Sequence, residues 1–231
     1  MKNFLTILCV CFFVTLFLPK SFFRKFNRIL RETKTIGTSS DSDYKIIADQ
    51  ETTKYFEEVT LKNELNSSVK RSPNKYKTDV KIYISGNYQQ FMLDEVNKVM
   101  DDLNDLVDPI DFSIVQDRDE SNMVIYFGDY ESFVSRNPEM GNISGVKTCD
   151  GFFRTKSNRI DGITLSKIFI NLPRQDSEMD TKDAIREEIT QSLGFYNDSW
   201  EYPNSCFYQG SNLVTEYSQM DVKLIKLLYN E

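Results

Sequence analysis

Runs of apolar residues separated by polar breaks predict a sheet in the central and C-terminal parts of the chain. Alternating or continuous apolar runs of about four to eight residues are typical of strands. Five segments have this pattern, at residues 80–85, 112–115, 123–127, 151–159 and 167–172. The third segment (MVIYF) is apolar enough to be a central strand, whereas the fourth (GFFRTKSNR) is polar, as an edge strand should be.

Apolar residues at helical spacing predict four helices among these strands. A short helix is expected within residues 49–65, and a long amphipathic helix at 88–107, before Pro109. A third helix is expected at 181–193, with Asp180 as its N-cap and Gly194 as its stop, and a fourth at 218–229. Together these elements predict an α+β fold, in which helices pack against a twisted mixed sheet of about five strands.

The N-terminus differs from the rest of the chain. Residues 4–18 are uninterrupted apolar or small, slightly fewer than the ~20 that span a bilayer, and no small-residue cleavage site follows. An uncleaved membrane anchor is therefore favoured over a cleaved signal. We expect three parts: a hydrophobic anchor or uncleaved signal at 1–19, a basic juxtamembrane segment and linker at 20–43, and one domain at 44–231.

The basic residues between positions 20 and 31 leave the membrane orientation open. Taken literally, the positive-inside rule would keep the domain in the cytoplasm. Residues 21–30 (SFFRKFNRIL) can instead lie on the membrane as a basic amphipathic helix. We expect membrane contact through residues 4 to 30 and an extracytoplasmic domain.

Composition removes several classes of function. The chain has 231 residues and no histidine, which excludes Ser-His-Asp and Cys-His catalysis and any zinc site built from imidazole. A net charge of −7, without a basic stripe in the globular part, argues against a nucleic-acid partner. Cys149 and Cys206 can form a disulfide if the domain is exported, or can be two separate buried thiols.

The segment REEITQSLGFYND (186–198) resembles the active-site helix of metzincin zinc proteases. Their pattern is H-E-x-x-H-x-x-G-x-x-H, in which a glycine turn brings the last ligand towards two histidines on one helix. Here Glu188 matches the catalytic glutamate and Gly194 the turn glycine. The three ligand positions read Glu187, Gln191 and Asn197, so the resemblance implies a zincin-like fold without its zinc ligands.

Further segments extend the resemblance to roughly residues 80–229. SCFYQ (205–209) resembles the segment with the metzincin turn methionine, with Phe207 in that place and Tyr208 after it. The chain is more closely similar to an uncharacterised bacterial family of domains of unknown function, through VTLKNE, EEITQSLGFYNDS, YPNSCFY and the LLY ending. Membership of that family implies a fold and no known activity.

The polar positions of the third helix have two interpretations. They can form a solvated face opposite Ile185 and Ile189, as in most amphipathic helices. Alternatively they form a site, whose candidate residues are Glu187, Glu188, Gln191, Asn197 and Asp198. Side-chain oxygens of this kind suit a hard ion such as calcium better than zinc. We expect no metal and no cofactor.

Two functional hypotheses follow. The first is a membrane-anchored, non-catalytic pseudo-metalloprotease that binds a peptide, a protein or an envelope component. The second is a hydrolase of altered chemistry, with Glu188 as general base and Glu187 and Gln191 beside it. A third, purely structural interpretation treats the helix as scaffold.

Overall fold

A computed structural model of the protein describes residues 49–61, 73–210 and 213–230. The predicted anchor, its basic juxtamembrane segment and the linker lie outside the described residues. No helix among the described residues is long and apolar enough to cross a membrane.

The described chain contains five strands and five α-helices. The strands are β1 (Val80–Gly86), β2 (Phe112–Ile114), β3 (Met123–Gly128), β4 (Gly151–Asn158) and β5 (Gly162–Asn171). The helices are α1 (Gln50–Leu61), α2 (Gln90–Leu106), α3 (Tyr130–Arg136), α4 (Glu178–Gln191) and α5 (Gln219–Tyr229). All five predicted strands and four predicted helices are present. The short helix α3 was not predicted, and β5 begins five residues earlier than expected.

The strands form one mixed sheet in the order β2-β1-β3-β5-β4. The first four strands in this order are parallel, and only β4 runs antiparallel to its neighbour β5. β3 lies in the centre, which explains its continuous apolar sequence, because a parallel strand covered on both faces has no solvent side. β4 lies at the edge, as its polarity predicted.

Each face of the sheet has its own apolar cluster. On one face Ile82, Ile125 and Ile168 belong to the main core, together with residues of α2 and α4 such as Val96 and Ile185. On the other face a smaller cluster contains Tyr126, Phe133 of α3 and Phe169. The rings of Phe133 and Phe169 are stacked with centroids 4.4 Å apart. The helix α3 therefore covers part of the face that α2 and α4 leave free.

A buried ion-pair network joins α4 to α2. Arg186 is completely buried, and its guanidinium donates to Glu95 Oε1 at 3.2 Å and to Asp102 Oδ2 at 2.8 Å. The same guanidinium lies over the ring of Tyr217, 4.6 Å from its centroid. These contacts fix the position of α4 along α2.

The start of α4 differs from the prediction. Ser177 is the N-cap, and its Oγ accepts a hydrogen bond from the backbone N–H of Asp180 at 3.2 Å. Asp180 lies inside the first turn, where its carboxylate accepts from Ser177 Oγ at 2.6 Å. The prediction of Asp180 as N-cap was wrong, because a serine three residues earlier provides the same acceptor.

The end of α4 requires glycine, as predicted. Gly194 has a φ angle of +133°, a backbone conformation that residues with a Cβ rarely adopt. A Cβ at this position would also lie 2.1 Å from the carbonyl oxygen of Asn74. Gly194 thus starts the turn after α4, in which Asp198 meets the side chain of Gln191.

Candidate functional site

The polar residues of α4 are enclosed and do not form a solvated face. Glu188 is 6% exposed and Gln191 7% exposed, while Glu187 is half-buried. The interpretation as an ordinary solvated face was therefore wrong. The helix packs against the sheet and α2, so that eight of its 14 residues are buried.

Gln191 joins two carboxylates, that of Glu187 in α4 and that of Asp198 in the turn that follows. Its Nε2 donates to Glu187 Oε1 at 3.2 Å and to Asp198 Oδ1. A glutamine amide nitrogen has two hydrogens, so it can serve both acceptors. Asn197, the third position of the metzincin pattern, instead donates from Nδ2 to the backbone carbonyl of Asp198. The structure therefore brings Glu187, Gln191 and Asp198 together, and Asn197 lies beside them.

These residues do not fit the zinc ion that a metzincin-type pattern implies. The chain has no imidazole, and the amide of Gln191 directs its N–H groups at the two carboxylates. A cation between the carboxylates would meet these hydrogens instead of a lone pair. Within the residues that the structure describes, no group of three or more Cys, Asp, Glu or His side chains is arranged to hold a metal ion.

Glu188 lies against the first residue of the edge strand β4. A Cβ at Gly151 would lie 2.4 Å from Glu188 Oε1 and 2.5 Å from its Cγ. Only glycine leaves room for the glutamate here, a requirement that the sequence analysis missed. The nearby thiol of Cys149 has its pKa raised to about 12, mainly by burial and further by the carboxylate of Glu188.

The chain after Gly194 forms a turn whose core is aromatic. Phe207 is completely buried, and its ring packs on Phe195 with centroids 4.6 Å apart. The backbone N–H of Ser199 donates to the carbonyl of Phe207 at 2.8 Å. Tyr208 lies at the outer side, edge-on to Trp200, whose side chain is 66% exposed. The structure thus places Phe207 in the core and Tyr208 at the rim.

A buried polar cluster lies under this turn. Ser205 Oγ accepts from the hydroxyl of Tyr55 in α1 at 2.9 Å and donates to Asp221 Oδ1 in α5 at 2.5 Å. The other oxygen of Asp221 accepts from the backbone N–H of Ser218 at 2.8 Å, which closes the N-terminal cap of α5. The cluster therefore connects the turn to α1 and α5, which are distant in sequence.

Cys149 and Cys206 do not form a disulfide; both are free thiols. Cys149 Sγ donates to the carbonyl of Val146 at 3.2 Å. Cys206 is buried beside Asp221, and burial raises the pKa of its thiol well above the ordinary value. Of the two alternatives that the sequence left open, the structure has two separate thiols.

The edge strand β4 and the turn after α4 lie side by side. Phe153 of β4 and Tyr196 of the turn stack with centroids 6.2 Å apart. Glu188 lies at one end of the strand, and the exposed Trp200 lies further along the turn. The sequence analysis missed Phe153 and Tyr196, because their proximity depends on two segments that only the fold brings together.

The domain is similar to several solved metalloproteases at low identity. Myroilysin is 9% identical, with 70% of this chain and 86% of that chain covered and a TM-score of 0.43. Archaemetzincin from Methanopyrus kandleri is 9% identical, with 66% and 97% covered and a TM-score of 0.40. High choriolytic enzyme 1, a hatching enzyme zinc-protease from Oryzias latipes (medaka fish), is 13% identical, with 66% and 90% covered and a TM-score of 0.36. These similarities concern the fold alone.

The predicted α+β class and the predicted family are both confirmed. The domain has a five-stranded mixed sheet, the long helix α2, the helix α4 and the C-terminal helix α5. No curated protein matches the chain. The family model described as "Protein of unknown function (DUF2927)" matches residues 49–231, and the chain therefore belongs to that family.

Proposed function

We propose that this domain is a non-catalytic, zincin-like binding module that holds an extended segment of a peptide, a protein or an envelope component along β4. Residues 4 to 30 would anchor it to the membrane, with the domain outside the cytoplasm. The observation that carries the proposal is a sheet edge that pairs with no described strand and lies beside the turn after α4.

The backbone of β4 has hydrogen-bonding groups directed away from the sheet. Asn171 N donates to Asp150 O at 3.0 Å, so this pair is hydrogen-bonded. In antiparallel pairs, hydrogen-bonded and non-hydrogen-bonded positions alternate. The register continues with Phe153 opposite Ile168, and Phe153 and Thr155 therefore direct their N–H and C=O groups outward. An extended ligand strand can add to such an edge.

The side chains beside this edge determine which ligand fits. Phe153 and Tyr196 provide an aromatic surface, and Trp200 provides a second, exposed one. Aromatic side chains of this kind give much of the binding energy at protein interfaces. The carboxyl group of Glu188 lies beside Gly151 at one end of this edge, so a ligand with an apolar or aromatic residue and a basic residue is favoured.

Catalysis of the metzincin type lacks its metal ligands. In such enzymes the zinc lowers the pKa of a bound water to about 7, from about 15.7 in bulk water. The chain has no histidine to bind that zinc, and Gln191 already joins Glu187 and Asp198. Without a metal-activated water, Glu188 has no proton to accept from it, and its role is then to pack against Gly151 beside β4.

The binding proposal is tested by removing one outward N–H of β4. The full chain in detergent is used to select peptides from a random library, and affinities are measured by fluorescence anisotropy. Thr155→Pro removes the donor without touching the bonds to β5, and should weaken binding at least tenfold, because a ladder hydrogen bond and the local geometry are lost. Thr155→Ala is the matched control and should bind within twofold of wild type. Equal affinities of the two variants would remove the edge strand from the proposal.

The non-catalytic part has its own test. The full chain is incubated with a pool of fluorogenic peptides beside Glu188→Gln. We expect no turnover by either protein. Hydrolysis by wild type that disappears in Glu188→Gln would establish the alternative, a hydrolase of altered chemistry, and would overturn this part while leaving the binding result independent.

The membrane part is tested by fractionation. The full chain should sediment with membranes, and a version without residues 4–30 should be soluble. A protease added outside intact cells should degrade the domain. Protection of the domain in intact cells, with degradation only after lysis, would place it in the cytoplasm.

A further inference from the structure

A second site lies on the opposite face of the sheet, and we propose that it binds a phosphate group. A pocket of about 70 Å³ opens there, on the side that α2 and α4 do not cover. Its polar lining consists of Tyr83, Ser85, Arg118, Arg136, Asn137 and Lys167. None of these residues belongs to β4 or to the turn after α4, so the inference does not rest on the proposed function.

The position of these residues follows from strand alternation. In β1, Ile82 and Ile84 pack in or against the main core, and side chains alternate between the two faces of a strand. Tyr83 and Ser85 therefore point to the other face, where the pocket lies. Lys167 of β5 reaches the same pocket, next to the backbone of Ile168. Residues from separate parts of the chain thus converge at one point.

The pocket is cationic in a protein that is acidic as a whole. Arg118, Arg136 and Lys167 line it, and no Asp or Glu is among its lining residues, although the net charge of the chain is −7. Neither arginine forms an ion pair with any residue that the structure describes. Two guanidinium groups that line one pocket without a carboxylate partner among the described residues indicate an anionic ligand.

Lys167 is held in a fixed position with one donor to spare. Its side chain is 18% exposed, and its Nζ donates to Asn137 Oδ1 at 2.9 Å and to Glu139 Oε1 at 2.7 Å. A lysine ammonium has three N–H donors, which leaves the third for a ligand. Asn137 is itself buried and donates to the carbonyl of Phe133 at 3.1 Å, so that its oxygen stays directed at Lys167.

Among the residues that the structure describes, Glu139 is the carboxylate that contacts Lys167 and reduces the positive charge at this site. The hydrogen bond from Lys167 lowers the pKa of Glu139, which therefore stays ionised at neutral pH. The three cations that line the pocket outnumber this contacting anion, and the acidic neighbours of Arg118 in the chain, Asp117, Asp119 and Glu120, do not line it. This excess of positive charge at the lining favours a phosphate group of charge −1 to −2. The balance explains why the site suits a phosphate better than a neutral ligand.

The remaining donors suit the shape of a phosphate. Arg136 lies over the ring of Tyr126, 5.7 Å from its centroid, which restricts the plane of its guanidinium. The planar fork of arginine can donate two parallel hydrogen bonds to phosphate oxygens. The hydroxyl group of Tyr83 adds an O–H donor, whereas the hydroxyl of Ser85 already donates to the carbonyl of Ile125 at 3.4 Å. A cavity of about 70 Å³ has room for a small oxyanion.

The proposal is tested with inorganic phosphate and the full chain. Isothermal titration should give saturable binding with a dissociation constant of about a millimolar or below, and chloride at equal ionic strength should give none. Arg118→Gln together with Arg136→Gln should weaken phosphate binding at least tenfold. Arg159→Gln, an exposed arginine outside the pocket, is the control for lost charge and should bind within twofold of wild type. The double variant should keep its melting temperature in chloride within about 2 °C, because both side chains are exposed.

Further ligands identify the source of the phosphate group. Dihexanoyl phosphatidylglycerol, below its micellar concentration, is compared with inorganic phosphate and with dihexanoyl phosphatidylcholine. Tighter binding of the glycerol lipid than of phosphate indicates a lipid headgroup, and equal or weaker binding indicates a soluble phosphate compound; both support the site. Absence of phosphate-specific binding to wild type, or equal affinity in the double variant, overturns it.

Discussion

Changing Gln191 to Glu tests whether its amide group holds two carboxylates together that would otherwise need a cation between them. In the wild type the amide nitrogen of Gln191 donates to Glu187 and Asp198. A glutamate keeps the length of the side chain but has no N–H at neutral pH, so three carboxylates converge. The substitution therefore removes two hydrogen bonds and adds a like charge at one enclosed point.

The expected loss of stability can be worked from these contacts. Each hydrogen bond to a charged acceptor contributes about 1.5 to 3 kcal/mol, and the lower value applies because Glu187 and Asp198 are half-buried. Two such bonds give about 3 kcal/mol. Repulsion between neighbouring charges near a protein surface adds at least about 1 kcal/mol. The sum of about 4 kcal/mol corresponds to a melting temperature lower by about 8 to 16 °C.

Urea unfolding of the full chain at neutral pH measures this loss, with Gln191→Met as the matched control. The Met variant loses the two hydrogen bonds without adding a charge, so its loss should be about 3 kcal/mol. Saturating calcium should restore most of the loss in the Glu variant and none in the Met variant, because three carboxylates suit calcium. A Glu variant as stable as wild type without calcium would refute the reasoning, as would equal responses of both variants to calcium.

Two further predictions concern charges inside the domain. Arg186→Met leaves the carboxylate of Glu95 buried without its partner and should cost about 3 to 5 kcal/mol in urea unfolding, most of it recovered when Glu95→Met is added; a loss below about 1 kcal/mol would contradict the buried pair. Burial is the main cause that raises the pKa of Asp183 from 3.8 to about 6. The contribution of Asp183 to stability is therefore full below about pH 4 and is lost as the pH rises through about 6. Asp183→Asn keeps the acceptor for Val214 N and should remove up to about 3 kcal/mol of this pH dependence, measured as the difference between the two unfolding curves from pH 4 to 7; parallel curves would contradict it.

Local patterns in the sequence were sufficient to predict those elements whose surroundings are the same along their whole length. The continuous apolar run of β3 predicts a strand covered on both faces, and the polar run of β4 predicts an edge. Gly194 was also predicted, since a residue that ends a helix with positive φ is best served by glycine. In these cases the constraint acts within a few residues of the chain.

The same patterns failed for α4, because its environment comes from distant segments. Apolar residues on one side suggested a solvated face on the other, but the partner of Arg186 is Glu95, 91 positions away. The role of Gly151 likewise depends on Glu188, which approaches it only after β4 and α4 have packed. Helix α3 was missed because its seven residues span too few turns to show a periodic pattern.

The site combines an α+β frame with polar groups that satisfy one another. Gly194, Gly151 and Phe207 act through shape, since each is explained by backbone conformation, close approach or packing. Gln191 instead joins the two carboxylates that a cation would otherwise have to neutralise. Breaking these hydrogen bonds would cost free energy, because each buried polar group that loses its partner stays desolvated without a hydrogen bond. The backbone edge of β4 needs no such opening to take a partner, and for that reason binding at the edge is a simpler function for this domain than chemistry at its centre.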